Sequence, residues 1–404
     1  MNRLLGKTKG DKVIWAIVVI LSLVSVLAVY SSTGSLAYRM QQGDTEYYLF
    51  KQFAVLALGL LIIYFSHRVN YTVYSRIALL LFLISIPLLF YTLVFGSTIN
   101  DASRWIKLPV INLTFQTSDM AKLALFMYVS RQLSRKQNVI KDFKKGFLPI
   151  IVPVCIICVL IMPANMSTAL LLGASCMMLC FIGRVKLKYL MSMLGIGLAA
   201  VGIVVMVVMF TGVGGGRAST WKSRIEHFRK HDKSEEPYQV QQAKIAVANG
   251  GLLGKGPGNS EQRNYLPHPY SDFIYAIIIE EYGMIGGFLL IACYLIFLFR
   301  SIRVFKRCPY AFGAFLSLGL SFTLVIQAFV NMAVNVNLLP VTGVTLPLVS
   351  MGGTSIWFTS LAIGIILSVS RNVEEMEGRK KLEKEQEQET KTETKTDGPV
   401  IAIA

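Results

Sequence analysis

The sequence predicts an all-α polytopic membrane protein of about ten transmembrane helices, with one long outer loop between the seventh and the eighth. Three observations carry this reading. Hydrophobic residues make up 54% of the 404 residues and charged residues only 16%, where a soluble domain is about a quarter charged. The mean hydropathy is +0.55. The apolar residues gather into runs close to the ~20 residues that one bilayer crossing needs. Finally, basic residues concentrate in alternate connections, as the positive-inside rule requires of a chain that crosses repeatedly.

The runs fall at 14–30, 49–65, 77–95, 118–133, 147–163, 167–183, 188–210, 272–299, 311–335 and 352–370. The first follows Arg3, Lys7, Lys9 and Lys12 and resembles a signal peptide in its flank. It is long for that role, and Tyr30-Ser31-Ser32-Thr33 is a poor cleavage site, so it reads as a retained span. One set of connections holds Arg68 and Arg76, then Arg131 to Lys145, then Arg184 to Lys188, then Arg300 to Arg307, then Arg371. The other set is poor in basic residues, and 336–351 has none. Residues 1–13 and 371–404 are therefore expected in the cytoplasm, flanking a ten-helix domain over 14–370. The tail is rich in Lys, Glu, Gln and Thr and is expected to be disordered, apart from a start that continues the last helix. The outer loop, 211–271, is itself basic, which long loops tolerate. It is either a solvated loop or a surface for an anionic substrate.

Several classes are excluded. A net charge of +17 suggests nucleic acid in a soluble protein, but here the basic residues sit in short loops beside lipid, with no zinc-finger spacing. Cys155 and Cys158 form a C-x-x-C, yet they lie in an apolar run without histidine and read as small buried hydrophobes. The stretch 249–258, NGGLLGKGPG, fails the phosphate-loop pattern at Asn249 and Gly256. It reads instead as tight turns whose backbone approaches an anion or another loop.

Ionisable residues in or at the rim of spans are the candidates for chemistry. Asp272 opens the eighth run, and Glu280 and Glu281 lie further along it. Asp119 and Lys122 share a face at the start of the fourth. Each has a plainer role available: Asp272 or Asp119 as a helix cap, Lys122 snorkelling to the interface, and the two glutamates as satisfied packing groups.

Two long stretches carry a family resemblance. Residues 249–283, NGGLLGKGPGNSEQRNYLPHPYSDFIYAIIIEEYG, and 331–355, NMAVNVNLLPVTGVTLPLVSMGGTS, resemble the two signatures of the SEDS family of FtsW, RodA and SpoVE. Weaker matches lie at 102–106, containing Arg104, and at 115–122, containing Asp119 and Lys122. Gly256 to Ser260 and the pair Glu280-Glu281 look more like the FtsW branch. The chain departs from the family at Ser271, Met351, Thr117 to Asp119 and Pro163 to Ser167; the last leaves Asn165 with no assigned role beyond packing.

The resemblance implies a polytopic enzyme of the bacterial inner membrane that polymerises lipid II into glycan strands, inverting the donor's anomeric carbon and releasing undecaprenyl diphosphate. It implies Asp272 as the catalytic base. Substrate-binding or supporting positions would be Lys122, Arg104, Asp119, Lys255, Gln262, Glu280, Glu281 and Ser350. No protein metal site is implied, although a divalent cation, Mg or Mn, would suit the diphosphate. The partners implied are lipid II and the nascent strand, a class b penicillin-binding protein and other divisome membrane proteins, with no nucleic acid. Two arrangements are expected: an ion pair of Lys122 with Asp272, and partner docking through Gly313, Ser317 and Gly319 on the ninth span. The rival readings are a flippase for the lipid-linked precursor, an elongation-type polymerase, and a non-catalytic scaffold.

Overall fold

The structure, a computed structural model, describes residues 9–34, 36, 38, 45–99, 102–108, 113–211 and 238–396. Its order is α1 (Lys12–Ser32), α2 (Thr45–Arg68), α3 (Tyr71–Phe95), β1 (Ser97–Ile99), β2 (Ala102–Leu108), β3 (Leu113–Gln116), α4 (Thr117–Arg135), α5 (Leu148–Ile161), α6 (Met166–Ile182), α7 (Leu187–Thr211), α8 (Tyr238–Gly250), α9 (Ile274–Arg307), α10 (Ala311–Asn335) and α11 (Thr354–Thr396). Each of the ten apolar runs coincides with a helix, and α8 lies within the long loop. Among the described residues seven helices are long and apolar enough to cross a membrane, α5 being counted together with the turn before it as Phe143–Ile161. The other coincident helices are α7, α6, which has 17 residues, and α4, which carries Asp119, Lys122, Arg131 and Arg135.

Three features differ from the sequence reading. The all-α expectation misses an antiparallel sheet, β1-β2-β3, in which Trp105 lies opposite both Ser97 and Gln116. The tail is not disordered from Arg371: α11 continues to Thr396. Its Glu, Lys and Gln residues are good helix formers, and Arg371 pairs with Glu375 one turn on at 3.7 Å. The break in α9 at Gly283 (φ 70) was also not anticipated.

The bundle is built around α10, whose residues from Phe312 to Asn335 are mostly buried. Close approach comes from small residues, the usual device where lipid removes any hydrophobic drive between helices. A Cβ at Gly319 would stand 2.8 Å from Leu179 and 2.9 Å from Phe126, and one at Gly313 would stand 3.0 Å from Tyr71. Ser317 is fully buried. These three residues therefore join α10 to its own neighbours and cannot serve the docking expected of them. Gly59 of α2 and Gly364 of α11 perform the same task against Ser360 and Ser66. The outward faces stay apolar, as at Leu23, Leu80, Phe90 and Phe288, consistent with a lipid surround.

One end of the bundle is fixed by polar ties. Asp11 caps α1 through Val13 N and Ile14 N and pairs with Arg300 at 2.6 Å. Ser370 Oγ accepts from Asp11 N (3.0 Å), and Glu374 accepts from Gly10 N (2.8 Å). The start of α1 and the middle of α11 thus lie at the same end of the bundle.

Candidate functional site

The other end holds Asp272, and the way the chain presents it depends on the 331–351 segment. Residues 270–272 form an irregular turn before α9. Its carbonyls are claimed one after another. Met351 N donates to Tyr270 O (2.9 Å), and the Ser350 hydroxyl donates to Ser271 O (2.6 Å). The Nδ2 groups of Asn331 and Asn335 both donate to Asp272 O at 2.9 Å. Ser350 Oγ accepts in turn from Leu346 N (2.8 Å), and Asn331 Nδ2 also donates to Val344 O (2.7 Å). Asn331 and Asn335 are one turn apart on the buried face of α10, so a single helix face supplies both.

This lattice leaves the carboxylate out of the capping role. The N-cap position of α9 is Phe273, without a side-chain cap, and the early amide Ala276 N is served by Asn335 Oδ1 at 3.0 Å. Asp272 Oδ1 accepts from the Ser271 hydroxyl at 3.0 Å. Beside it, burial pushes the Tyr270 phenol up, with the charges of Tyr48 and Asp272 adding to the effect, so Tyr270 remains a protonated donor. The result is a carboxylate on a rigid, half-buried turn, a suitable mount for a base.

Lys122 and Asp119 form a second group. They pair at 2.6 Å, both largely shielded, so the expected partnership of Lys122 with Asp272 gives way to an i,i+3 pair on α4. The reason is local: α4 begins without a side-chain cap, and Asp119 in its first turn turns back to the ammonium instead. Lys122 Nζ also reaches Gln327 Oε1 (3.5 Å), whose Nε2 donates to Thr345 O (2.9 Å). Gln327 stands one turn before Asn331, so Lys122 connects to the Asp272 turn through one face of α10 and the 344–350 segment. A cavity of about 40 Å³ lies between Asp119, Lys122, Gln327 and Thr359.

The remaining nominees gather where the glycine-rich loop meets the break in α9. Glu280 is fully buried and accepts from the Ser260 hydroxyl, Glu261 N (3.3 Å), Gln262 N (3.2 Å) and Lys255 Nζ (3.4 Å). Hydrogen bonds to Glu261 first, then to Glu280, raise the Lys255 pKa. Glu281 accepts from Ser31 of α1, and Arg263 Nη1 donates to Ser31 O (3.1 Å). These acids fasten the loop and α1 to α9; Glu280 is met by several donors, whereas Glu281 Oε2 is buried without a partner among the described residues. Gln262 contributes its backbone N–H to Glu280, while its side-chain oxygen is buried without a partner among the described residues. Arg104 lies on β2, and its side chain is outside the described residues. So do Arg217, Lys222, Arg224, Arg229, Lys230 and Lys233 of the basic loop. Asn165, given no role beforehand, caps α6 through Thr168 N (3.2 Å).

The loop approaches another backbone, not an anion. Lys255 N and Gly256 N donate to Glu280 O and Glu281 O, each at 2.9 Å, while Met284 N donates to Gly251 O at 3.0 Å. A Cβ at Gly250, Gly254 or Gly283 would stand 2.1–2.2 Å from a backbone oxygen across this seam, which is why those positions are glycine. The seam satisfies the groups freed by the helix break, the condition for broken helices in membrane proteins. Beyond the break, 284–307 is about 36 Å long and spans the hydrocarbon core unaided. The piece 274–282 with both glutamates therefore leads into the span and does not form its deep part. Sequence reasoning missed Asn331, Asn335 and Gln327 as site residues. Their i, i+4, i+8 spacing within an apolar run was the available signal.

Among the described residues no three His, Cys, Asp or Glu side chains converge.

A helical membrane bundle carrying one rigidly mounted carboxylate at its rim, with a folded loop docked beside it, defines a polytopic membrane protein with a rim-facing site. The chain belongs to the cell cycle protein family of FtsW, RodA and SpoVE, whose profile matches residues 11–375. It is 33% identical over 368 residues to the probable peptidoglycan glycosyltransferase FtsW of Geobacter sulfurreducens (strain DL-1 / KN400), covering 90% of this chain and 96% of that one. It is 31% identical over 373 residues to the stage V sporulation protein E of Bacillus subtilis (strain 168), covering 90% and 98%. Its fold matches a chain of a peptidoglycan synthase complex (TM-score 0.69, 23% identity, 90% and 98% covered). It also matches the rod shape determining protein RodA of Thermus thermophilus (TM-score 0.63, 23% identity, 90% and 97% covered).

Proposed function

We propose that the chain is a peptidoglycan glycosyltransferase that polymerises lipid II, with Asp272 as its general base. The observation that carries this is the mount of Asp272: three side chains and one amide of 331–351 fix the backbone of 270–272, while Asn335 takes over the capping. The 4-hydroxyl of the acceptor's N-acetylglucosamine loses its proton to Asp272 and attacks the anomeric carbon of the donor's N-acetylmuramic acid. The bond to undecaprenyl diphosphate breaks as the new bond forms, and the configuration inverts. The departing diphosphate needs positive charge. Lys122 is half-neutralised by Asp119 and best suited to orienting, so that duty falls to Arg104 and the basic loop, with any divalent cation arriving on the substrate.

The relatives named FtsW support a septal role in the cell division of a bacterium. The basic connections support placing 249–270 outside the inner membrane and both termini in the cytoplasm. A class b penicillin-binding protein is the partner the reading requires, since a glycan polymer must be cross-linked; other divisome proteins would dock around it. With α10 buried, its anchor would pack on the lipid-facing stripe of α9 at Met284, Phe288, Leu289, Leu295 and Ile296, on the helix that carries the catalytic turn. The test is purified protein with lipid II, read as glycan strands on a gel. Strands from the wild type and none from the Asp272→Asn variant are expected; equal yield would remove the proposal.

A further inference from the structure

At the end of the bundle away from Asp272, α3, α4, α10 and α11 enclose a cavity of about 610 Å³. Phe312 lines it, and the 23 residues of α10 from there to Asn335 put about 35 Å between cavity and catalytic turn. Its wall carries Arg76, Arg131, Arg135 and Arg379. Among the described residues none of these four takes part in an ion pair or a hydrogen bond, and Arg131 Nε is buried without a partner. The neighbouring arginines are not like this: Arg300 pairs with Asp11 at 2.6 Å and Arg307 with Glu377 at 3.5 Å. Among the described residues the one acid of the wall, Glu375, is held by Lys9 at 3.1 Å and Arg371 at 3.7 Å.

Four like charges around one cavity repel, and a buried guanidinium nitrogen without an acceptor is costly. An anion with several oxygens removes both penalties, and the guanidinium fork suits phosphate above other anions. The cavity also has an apolar side. Tyr71 and Phe312 stack at 6.2 Å within it. On α3, Arg76 is followed on the same face by Leu80 and Leu83, which are 59% and 54% exposed.

We infer that this cavity binds the phosphate of an anionic phospholipid, with the headgroup among Arg76, Arg131, Arg135 and Arg379 and an acyl chain along Leu80 and Leu83 of α3. The site is separate from the glycan chemistry and does not depend on it. It ties α3, α4 and α11 together at the membrane surface.

The experiment is native mass spectrometry of the full chain, titrated with phosphatidylglycerol and, separately, with phosphatidylcholine. Phosphatidylglycerol is expected to bind at least about tenfold more tightly, and Arg131→Gln or Arg76→Gln to lose about tenfold each, the size of one charge-assisted hydrogen bond. Arg379→Gln, at an exposed position that cannot disturb packing, is expected to lose a similar factor, while Arg303→Gln on α9, outside the cavity, loses none. Displacement of the lipid by millimolar inorganic phosphate would keep the phosphate site and overturn the lipid as its occupant. Equal binding of the two lipids, or cavity variants that bind like Arg303→Gln, would overturn the site itself.

Discussion

The seam between the glycine-rich loop and α9 makes a sharp prediction through a pair of substitutions. Gly254 and Gly258 both have left-handed φ, +82° and +78°, so alanine strains either one by about 1–2 kcal/mol. They differ in space. A Cβ at Gly254 would meet Glu281 O at 2.2 Å and Gly283 N at 2.5 Å, whereas among the described residues nothing lies within 4 Å of one at Gly258. Relief at Gly254 means moving the loop about 1 Å off α9, which gives up the bonds from Lys255 N and Gly256 N to Glu280 O and Glu281 O. Two buried backbone bonds left unmade cost about 2–6 kcal/mol together. Gly254→Ala should therefore speed amide exchange at 251–256 and 284–285 by at least about 30-fold beyond Gly258→Ala. Hydrogen–deuterium exchange with mass readout measures this. Equal exchange in the two variants would show that the loop is not held by the seam.

Other expectations follow from the same contacts. Asn335→Leu strips a donor from Asp272 O and an acceptor from Ala276 N; polymerisation should fall about 10- to 100-fold while lipid II binding is retained, measured by strand yield against a binding titration. Lys122→Met leaves Asp119 charged and buried and should cost about 3–5 kcal/mol, seen as a lower Tm, and the double variant Lys122→Met with Asp119→Leu should recover most of it. Asp142 lies outside the spans, and the N–H groups of Lys145 and Lys144 hold its carboxyl below the usual aspartate range. Its contribution is present above the ordinary value and lost as pH falls through the lowered one, so Asp142→Asn should flatten the acid limb of a melting curve. For topology, cysteine at Leu253, which is 79% exposed, should label from outside, and cysteine at Glu383 should not; Ser260 is unsuitable because it is buried against Glu280.

The helices were largely readable from the sequence because an apolar run of span length has few alternatives in lipid. Asp272 could be nominated from the sequence, since a charge beside an apolar run stands out, and Ser350, nominated by the resemblance, lies against Ser271 O. What escaped was pairing at a distance. Asn331 and Asn335 look like packing groups until Asp272 O appears opposite them. The expected ion pair of Lys122 failed because Asp119, three residues away, reaches it first. The small residues of α10 carry no label that distinguishes internal packing from docking; burial against Phe126, Leu179 and Tyr71 decides it. The hairpins of β1-β2-β3 are too short to register beside apolar runs, and one glycine at 283 does not announce a break without knowledge of the loop that fills it.

The most direct test of the central claim is the rate of glycan polymerisation by Asp272→Asn beside its affinity for lipid II. The amide has the shape of the carboxylate and keeps the hydrogen bond from Ser271, and the backbone of 270–272 is held by other residues, so fold and binding should be preserved. Loss of the base should lower the rate about 10²- to 10⁴-fold. A variant that polymerises within about threefold of wild type at equal lipid II occupancy would contradict the account, because a positioned base is worth far more than that.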